Sequence, residues 1–208
     1  MMLEIKNITV AYGLNNKIKF NSMEIDNQKI NVIYGENGCG KSTLLKAIND
    51  LIPIDSGNIL IDNLVHTKKE SQRKICSFFD KERLFDFLTP KEYFELIVSN
   101  YSNKPKKLEK YYETVEKDFN RNWFHGKNSI KSYSDGNKQL IGILCAFFAE
   151  PEIILLDEPF NFLDSETKKK LADFIIDYHK EKNTMIILSS NIAMEDYFPT
   201  DVLNIIKF

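Results

Sequence analysis

The sequence lacks several features that whole classes of protein require. It has no basic excess, because 28 Lys and Arg residues face 30 Asp and Glu residues and the formal net charge is −2. Nucleic acids and anionic lipid surfaces select a basic field, so we expect no nucleic-acid partner. The longest apolar runs, at residues 140–149 and 153–156, are far shorter than the ~20 residues that span a bilayer. Any work at a membrane therefore requires a partner that is embedded in it.

Side chains that bind metals or form disulfides are also scarce. The cysteines are three in number: Cys39, Cys76 and Cys145. Neither their number nor their spacing fits a disulfide framework or a zinc site, which favours a reduced, cytosolic chain. The histidines are His66, His125 and His179. They show no metal-ligand spacing, and we expect them at the surface or in loops.

The patterns that are present indicate one α/β domain. A chain of 208 residues has room for a single core. Apolar periodicity predicts strands at about residues 3–6, 18–25, 30–34, 59–61, 152–157, 184–189 and 202–208. It predicts helices at about residues 41–50, 89–101, 105–119, 135–150 and 165–182. This alternation indicates a mixed, largely parallel sheet with a β region at the N-terminus and a helical insertion. We place the core at about residues 1–78 and 133–208, and the insertion at about 79–132, where Trp123 and Phe124 are expected to pack rather than to contact a partner.

A glycine-rich motif follows the predicted strand at residues 30–34 and precedes the first helix. It reads G-E-N-G-C-G-K-S and matches the pattern G-x-x-x-x-G-K-[S/T]. Glycines let such a loop turn its N–H groups toward phosphate oxygens, and the helix N-terminus adds positive potential. Lys41 then reaches the β- and γ-phosphates, and Ser42 offers a hydroxyl to Mg²⁺. The alternative is an ordinary glycine-rich turn. The predicted nucleotide-binding residues are Gly35, Glu36, Asn37, Gly38, Cys39, Gly40, Lys41, Ser42 and Thr43.

A second motif places two acids at the end of an apolar strand. Residues 153–156 are Ile-Ile-Leu-Leu, and Asp157 and Glu158 follow them. The carboxyl ends of the strands in such a sheet face the phosphate groups of a ligand. Asp157 is then placed to hold Mg²⁺ through its water shell, and Glu158 to polarise the attacking water as general base. Acids after a strand are often only a solvated loop, but together the two motifs indicate a nucleotide hydrolase with a P-loop core.

The segment Y-S-D-G-N-K-Q at residues 133–139 indicates the branch of these hydrolases. A Ser and a Gly at a helix N-terminus form a small anion nest, and this one lies about 20 residues before the acidic strand. Here the chain resembles the ATP-binding subunits of ABC transporters, whose signature is L-S-G-G-Q. Ser134 and Gly136 match that signature, whereas Tyr133, Asp135 and Asn137 depart from it. Taken alone, the segment is better explained as a helix N-cap without further function, and its neighbouring motifs reverse that preference.

The resemblance implies a P-loop core with an N-terminal antiparallel region and an ATP site that two subunits complete. In this family the signature of one subunit closes over the γ-phosphate held by the other, in a head-to-tail dimer. Tyr12 falls where the family has the aromatic side chain that stacks on adenine. The loop at residues 161–164, with Leu163 and Asp164 matching, falls where the family's chains cross the dimer interface. The segment 75–88 resembles the coupling region, and the insertion after it is the part that receives the membrane subunit.

Two departures from the family bear on the chemistry. At the switch position the family has His, whereas this chain has Asn191, which donates a hydrogen bond but neither becomes cationic nor transfers a proton. In the coupling region the family has Gln as a Mg²⁺ ligand. Here the aligned residue is Asp80, whose carboxylate can still bind Mg²⁺ but adds repulsion toward the triphosphate. Lys41 and Glu158 are intact. We therefore predict binding of ATP and Mg²⁺ with slow or partner-dependent hydrolysis, with Glu158, Lys41 and Asn191 as the catalytic residues.

The resemblance thus implies an ATPase subunit at the cytoplasmic face of a membrane. ATP binding closes a homodimer or heterodimer and hydrolysis reopens it, which drives a membrane-spanning transporter subunit. The variant signature is more similar to those of peptide or drug exporters than to those of nutrient importers. Two alternatives are open: a soluble ABC-type ATPase of translation or DNA repair, and a catalytically weak ATP-binding subunit that holds a heterodimer together.

Overall fold

The computed structural model describes residues 1–12, 16–79, 84–101 and 108–208. These residues form two five-stranded sheets and six α-helices. One sheet is antiparallel and the other is parallel, so the predicted α/β fold with an N-terminal antiparallel region is confirmed. Within the described part of the chain, no helix is both long enough and apolar enough to cross a membrane.

The antiparallel sheet is built on one long strand. Strand β1 (Met2–Tyr12) pairs with β2 (Asn16–Phe20), β3 (Met23–Asp26) and β5 (Ser56–Ile61), and β6 (Leu64–Val65) pairs with β5. The buried side chains of β1 are Leu3 and Ile5, and then Ile8 and Val10. The spacing changes from odd to even positions because the pairing of β1 with β5 shifts register between the two pairs. One strand therefore keeps both of its ends packed on the core.

The parallel sheet contains the strands that carry the motifs. Its order is β10 (Leu203–Lys207), β4 (Ile30–Tyr34), β9 (Met185–Ser190), β8 (Ile153–Leu156) and β7 (Ile75–Phe78). Strands β8 and β9 are buried along their whole length, as is typical of parallel strands that are covered on both faces. Because all five strands point the same way, the loops after β4, β8 and β9 meet at one edge of the sheet.

The helices cover the parallel sheet and form the insertion. They are α1 (Lys41–Ile48), α2 (Lys69–Gln72), α3 (Pro90–Tyr101), α4 (Glu109–Phe119), α5 (Asp135–Phe148) and α6 (Ser165–Lys182), with short 3₁₀ helices at Ile130–Ser132 and Thr200–Val202. Phe94 of α3 contacts the ring of Phe124 at 5.0 Å between centroids. Trp123 and Phe124 are buried, so the prediction that they pack is confirmed. One hydrophobic core joins the insertion, α5 and the parallel sheet.

Two local predictions were wrong, for physical reasons, and a third is described only in part. The single strand predicted at residues 18–25 is two strands, because β2 and β3 pair with different halves of β1. The helix predicted from residue 105 is described from Glu109 onward, and residues 102–107 lie outside the described part. The histidines were predicted at the surface or in loops. His66 lies in the turn after β6 but is buried, and His179 is buried within α6. Nδ1 of His66 lies 3.3 Å from the carbonyl oxygen of Ile59, and Nδ1 of His179 lies 3.0 Å from that of Thr184. Both distances allow a hydrogen bond.

Candidate nucleotide site

The glycine-rich loop joins β4 to α1 at the carboxyl edge of the parallel sheet. Gly38 and Gly40 have φ angles of 86° and 109°, in the left-handed region that glycine adopts without strain. A side chain at Gly40 would also lie 3.3 Å from Cγ2 of Ile18 on β2. Among the described residues, no side chain caps the N-terminus of α1. The first N–H groups of this helix are therefore available to an anion, which fits the predicted phosphate site.

Lys41 lies inside this loop. Its side chain is 3% exposed, and Nζ donates to the carbonyl oxygens of Gly35 and Glu36, each at 2.9 Å. The same Nζ is 3.6 Å from Oε1 of Glu158. The ammonium group thus lies between the loop backbone and the carboxylate that the sequence predicts as general base.

The acidic pair after β8 is fixed by a serine on the neighbouring strand. Oγ of Ser189 donates to Oδ1 of Asp157 and accepts the backbone N–H of Glu158 at 2.8 Å. Glu158 has a φ of 46°, which is uncommon for a residue with a side chain and persists only where neighbours hold it. Ser189 is fully buried. The sequence prediction did not assign it a role, although the pairing of Leu156 with Leu188 places it beside Asp157.

The carboxylate of Glu158 has two partners. Oε1 faces Lys41, and Oε2 accepts a hydrogen bond from Nδ2 of Asn161 at 2.6 Å. Both partners are donors, since Lys41 is a cation and Asn161 contributes an amide N–H. The side chain remains 26% exposed, so water reaches it. The contact of Asn161 was not foreseen from the sequence, since it lies in the loop that the resemblance assigns to the dimer interface.

The switch position reaches the phosphate loop directly. Nδ2 of Asn191 donates to Oδ1 of Asn37 at 3.0 Å, and the backbone N–H of Gly35 donates to the carbonyl oxygen of Ser190 at 3.2 Å. The loops after β4 and β9 are therefore joined. The structure thus brings together the phosphate loop, the acidic pair and Asn191, three parts of the predicted site that are distant in the sequence.

The oxygen atoms predicted to hold Mg²⁺ come from two of these loops. Ser42 is the second residue of α1 and Asp157 follows β8, and a hydroxyl with a carboxylate is a donor set that suits Mg²⁺. Asp80 lies outside the described residues. Tyr12 is the last residue of β1, and its side chain lies outside the described part. The roles of Asp80 and Tyr12 therefore stay predictions.

The signature residues belong to a different surface. Ser134 is the N-cap of α5, and its Oγ accepts the backbone N–H of Asn137 at 3.3 Å. A side chain at Gly136 would lie 2.7 Å from the carbonyl oxygen of Phe162, so α5 packs closely on the loop at residues 161–164. Asp164 caps α6 by accepting the N–H of Thr167 at 2.8 Å, a hydrogen bond that lowers the pKa of the carboxyl. Among the described residues, Ser134 and Gly136 therefore contact their own helix and the loop at residues 161–164. Within this part of the chain, they do not contact the phosphate loop.

Similarity to known proteins identifies the family. A model of the ABC transporter family matches residues 18–161, more than half of the chain. The chain belongs to the ABC transporter family. A phosphate import ATP-binding protein of Shouchella clausii is 31% identical, and the match covers 92% of this chain and 75% of that protein. A lantibiotic transport ATP-binding protein of Streptococcus pyogenes is 28% identical, with 93% and 82% covered.

Other relatives of this ABC transporter protein are longer. The chain spans 40, 56 and 65% of the length of three further curated relatives. Among solved structures, a dimeric ATP-binding cassette in a post-hydrolysis state, bound to ADP and Pi, has a TM-score of 0.82. It is 24% identical, and the match covers 99% of this chain and 93% of that chain. This likeness shows that the fold is that of an ABC ATPase cassette.

Proposed function

We propose that this ABC transporter protein binds and hydrolyses ATP and drives a membrane-spanning subunit through ATP-dependent dimerisation. One observation carries the proposal. Lys41, Glu158 and Asn191 come from three different loops, and each contacts the phosphate loop or the lysine inside it. A cation, a carboxylate and an amide donor around a helix N-terminus are the groups that phosphoryl transfer to water requires.

ATP binding is assigned to the phosphate loop. The N–H groups at the start of α1 hold the phosphate oxygens, and Lys41 exchanges its two carbonyl contacts for the β- and γ-phosphates. Tyr12 is proposed to stack on the adenine. Ser42 and Asp157, with Asp80, are proposed to hold Mg²⁺, which would supply positive charge beside the triphosphate.

Hydrolysis is assigned to Glu158. Its carboxylate accepts a proton from the attacking water as general base. Asn161 holds the carboxylate, and Ser189 accepts the backbone N–H of Glu158. Asn191 is proposed to donate a hydrogen bond toward the γ-phosphate. Because the amide transfers no proton, we propose that hydrolysis is slow or depends on a partner. The second candidate function is a catalytically weak subunit that holds a heterodimer together. Asn191 and Asp80 favour it, whereas the intact Glu158 argues against a complete loss of catalysis.

Dimerisation is proposed because Ser134 and Gly136 lie on a different surface from the phosphate loop of their own chain. A second ATP-binding chain would bring its signature to this loop, and the dimeric state of the similar solved cassette supports such a pair. The helical insertion, at about residues 79–132, is proposed to receive the membrane subunit at the cytoplasmic face. Its N-terminal loop supports this, because Phe85 is 47% and Phe87 is 72% exposed, and exposed apolar groups mark interaction surfaces.

The cargo is proposed to be a peptide or drug-like molecule that is exported. The variant signature and the lantibiotic transport relative support a peptide. The phosphate import relative favours the opposite direction, so its likeness makes import the alternative to be tested.

The deciding experiment compares hydrolysis by the wild type with hydrolysis by Glu158→Gln. Loss of the general base is expected to slow hydrolysis about 100-fold or more while ATP still binds. Glu166→Gln is the matched control, because Glu166 is an exposed carboxylate of α6 paired with Lys170. A wild type that binds no ATP would reject the proposal. A wild type that binds ATP but hydrolyses it no faster than Glu158→Gln would support the second candidate.

Isolation of the chain with its partners tests the transporter assignment. The tagged protein, expressed at its native level and extracted in mild detergent, is expected to bring with it an integral membrane protein in fixed ratio. Recovery of ribosomes or DNA-associated proteins in place of a membrane protein would instead support a soluble ABC-type ATPase.

A further inference from the structure

An arginine connects the helical insertion to the signature. Arg121 follows α4, and its Nε donates to Oδ1 of Asn137 at 3.0 Å. Its Nη1 donates to the carbonyl oxygens of Phe119 at 3.2 Å and of Asn120 at 3.4 Å. One side chain therefore joins the last turn of an insertion helix to the first turn of α5, although 16 positions separate Arg121 from Asn137.

The end of α4 explains why an arginine occupies this place. Asn120 ends the helix in the left-handed conformation with a φ of 52°, and the backbone N–H of Arg121 returns to the carbonyl oxygen of Val115 at 3.4 Å. Carbonyl groups at a helix C-terminus lack intrahelical donors and carry partial negative charge, which favours a cation. The planar guanidinium group has five donors, so it binds these carbonyls and an amide oxygen together.

The other end of the contact is inside the signature. Asn137 is the third residue of α5, and its backbone N–H is already bound by the N-cap, Ser134. A Glu or Gln at this position turns back to the N-cap and completes a capping box. Here the amide oxygen of Asn137 is bound by Arg121 instead. The first turn of the signature is therefore held from two sides, by its own cap and by the insertion.

Arg121 also supplies charge to the signature surface. It lines a cleft of about 370 Å³ with Ser134, Gly136 and Phe162. Among the described residues that line this cleft, Arg121 is the one cation, and Asp135 and Asp164 are the carboxylates. A phosphate group that approaches α5 therefore meets negative charge from Asp135, which departs from the family signature, and Arg121 opposes it.

We propose that Arg121 is a positioning residue that sets the signature for dimer closure and makes it respond to the position of the helical insertion. The inference rests on the proposed function, since it concerns ATP-driven dimerisation. ATP binding by a single chain uses the phosphate loop, and the side-chain hydrogen bonds of Arg121 to other described residues are with Asn137, Phe119 and Asn120 instead. Removal of Arg121 therefore weakens closure of the dimer and leaves the first binding step unchanged.

The experiment uses the full chain with Glu158→Gln, in which slow hydrolysis lets the ATP-bound dimer accumulate. Dimer formation is measured by analytical ultracentrifugation against ATP concentration, and ATP binding by the separate chain is measured with a fluorescent ATP analogue. Arg121→Ala is expected to raise the ATP concentration for half-maximal dimerisation at least about tenfold and to leave ATP affinity within about twofold. Arg121→Lys keeps the charge without the planar fork, so an intermediate shift is expected.

Three controls separate positioning from a general loss of structure. Arg73→Ala is the matched variant, because Arg73 lines a different cleft and has no ion pair within the described part of the chain. It is expected to dimerise at the same ATP concentration as the parent, which is the chain with Glu158→Gln alone. Asn137→Ala is expected to reproduce the shift, and the double variant to add little to it. Hydrogen exchange in Arg121→Ala is expected to become faster at residues 134–138 and to stay unchanged at residues 35–43.

The outcomes distinguish this inference from the proposed function. A parent that binds no ATP, or binds it without dimerising, would overturn the proposed function and the inference with it. A parent that dimerises at the same ATP concentration as Arg121→Ala would overturn the inference alone. Faster exchange throughout Arg121→Ala, together with weaker ATP binding by the separate chain, would show a general structural role and would also overturn it.

Discussion

The phosphate loop and the signature, the two halves of the proposed ATP site, are held in different ways. The phosphate-loop half stands on adjacent strands of a buried parallel sheet, and Lys41 and Ser189 are almost fully buried there. The signature half is a helix N-terminus held by a cap, a close contact with the loop of Phe162 and an arginine from the insertion. Phe162 itself is 63% exposed. The fold itself fixes the first half, whereas side-chain contacts fix the second. Substitutions in the first are therefore expected to affect binding, and those in the second to affect assembly.

The largest effect is expected for Lys41→Ala. Hydrogen bonds to a charged group contribute about 1.5–3 kcal/mol, so loss of the ammonium group is expected to weaken ATP binding about 100-fold. Isothermal titration calorimetry of the purified chain measures this change. Lys46→Ala, in the last turn of the same helix, is the matched control and is expected to bind normally. Unchanged affinity in Lys41→Ala would contradict the assignment of the loop.

A smaller effect, with no substitution, is expected for the thiol of Cys39. Cys76 and Cys145 are buried, and burial raises the pKa of the Cys76 thiol to about 11, so neither is expected to react in the folded chain. Cys39 is half-buried within the phosphate loop. At ATP about ten times above its dissociation constant, maleimide labelling of Cys39 is expected to slow about tenfold. Equal rates with and without ATP would place the nucleotide elsewhere.

A several-fold effect is expected for the switch position. Asn191→Ala removes the hydrogen bond to Asn37 and the amide proposed to face the γ-phosphate, so hydrolysis is expected to fall about threefold to tenfold. Asn191→His introduces a group that transfers protons, and a higher rate is expected. Rates are measured in the complex with the membrane subunit. If the wild-type complex and the Asn191→Ala complex hydrolyse ATP at the same rate, this position does not limit hydrolysis.

The same contrast explains which parts of the molecule the sequence predicts. The phosphate loop, the buried strand before Asp157 and the helix from Ser165 to Lys182 follow from local patterns, and the structure has these elements where they were predicted. The roles of Ser189 and Asn161 depend on which strands and loops are neighbours. The sequence alone does not contain that information until the order of the sheet is known.

Errors in burial have a related cause. His66 and His179 were predicted at the surface or in loops because they show no metal-ligand spacing. In the structure each ring contacts a carbonyl of a neighbouring segment, so burial costs little. Such partners lie outside any local sequence pattern. Arg121 is the clearest case, because its contact with Asn137 requires that two helices of the insertion and the core pack together.

The smallest effect is expected at Ser134, where the measured quantity is the free energy of unfolding. Loss of an N-cap costs about 1 kcal/mol, so Ser134→Ala is expected to lower the free energy of unfolding by that amount in urea titrations. Ser134→Asp retains a cap and is expected to restore stability. It also places a carboxylate at the start of α5, where the proposed dimer brings a triphosphate, so ATP-driven dimerisation is expected to be lost although the chain is stable. Normal dimerisation of Ser134→Asp would instead mean that this segment is a helix cap and nothing more. Ser134→Ala is expected to lower stability, whereas Ser134→Asp is expected to keep stability and lose dimerisation. The pair therefore separates a structural cap from a functional signature.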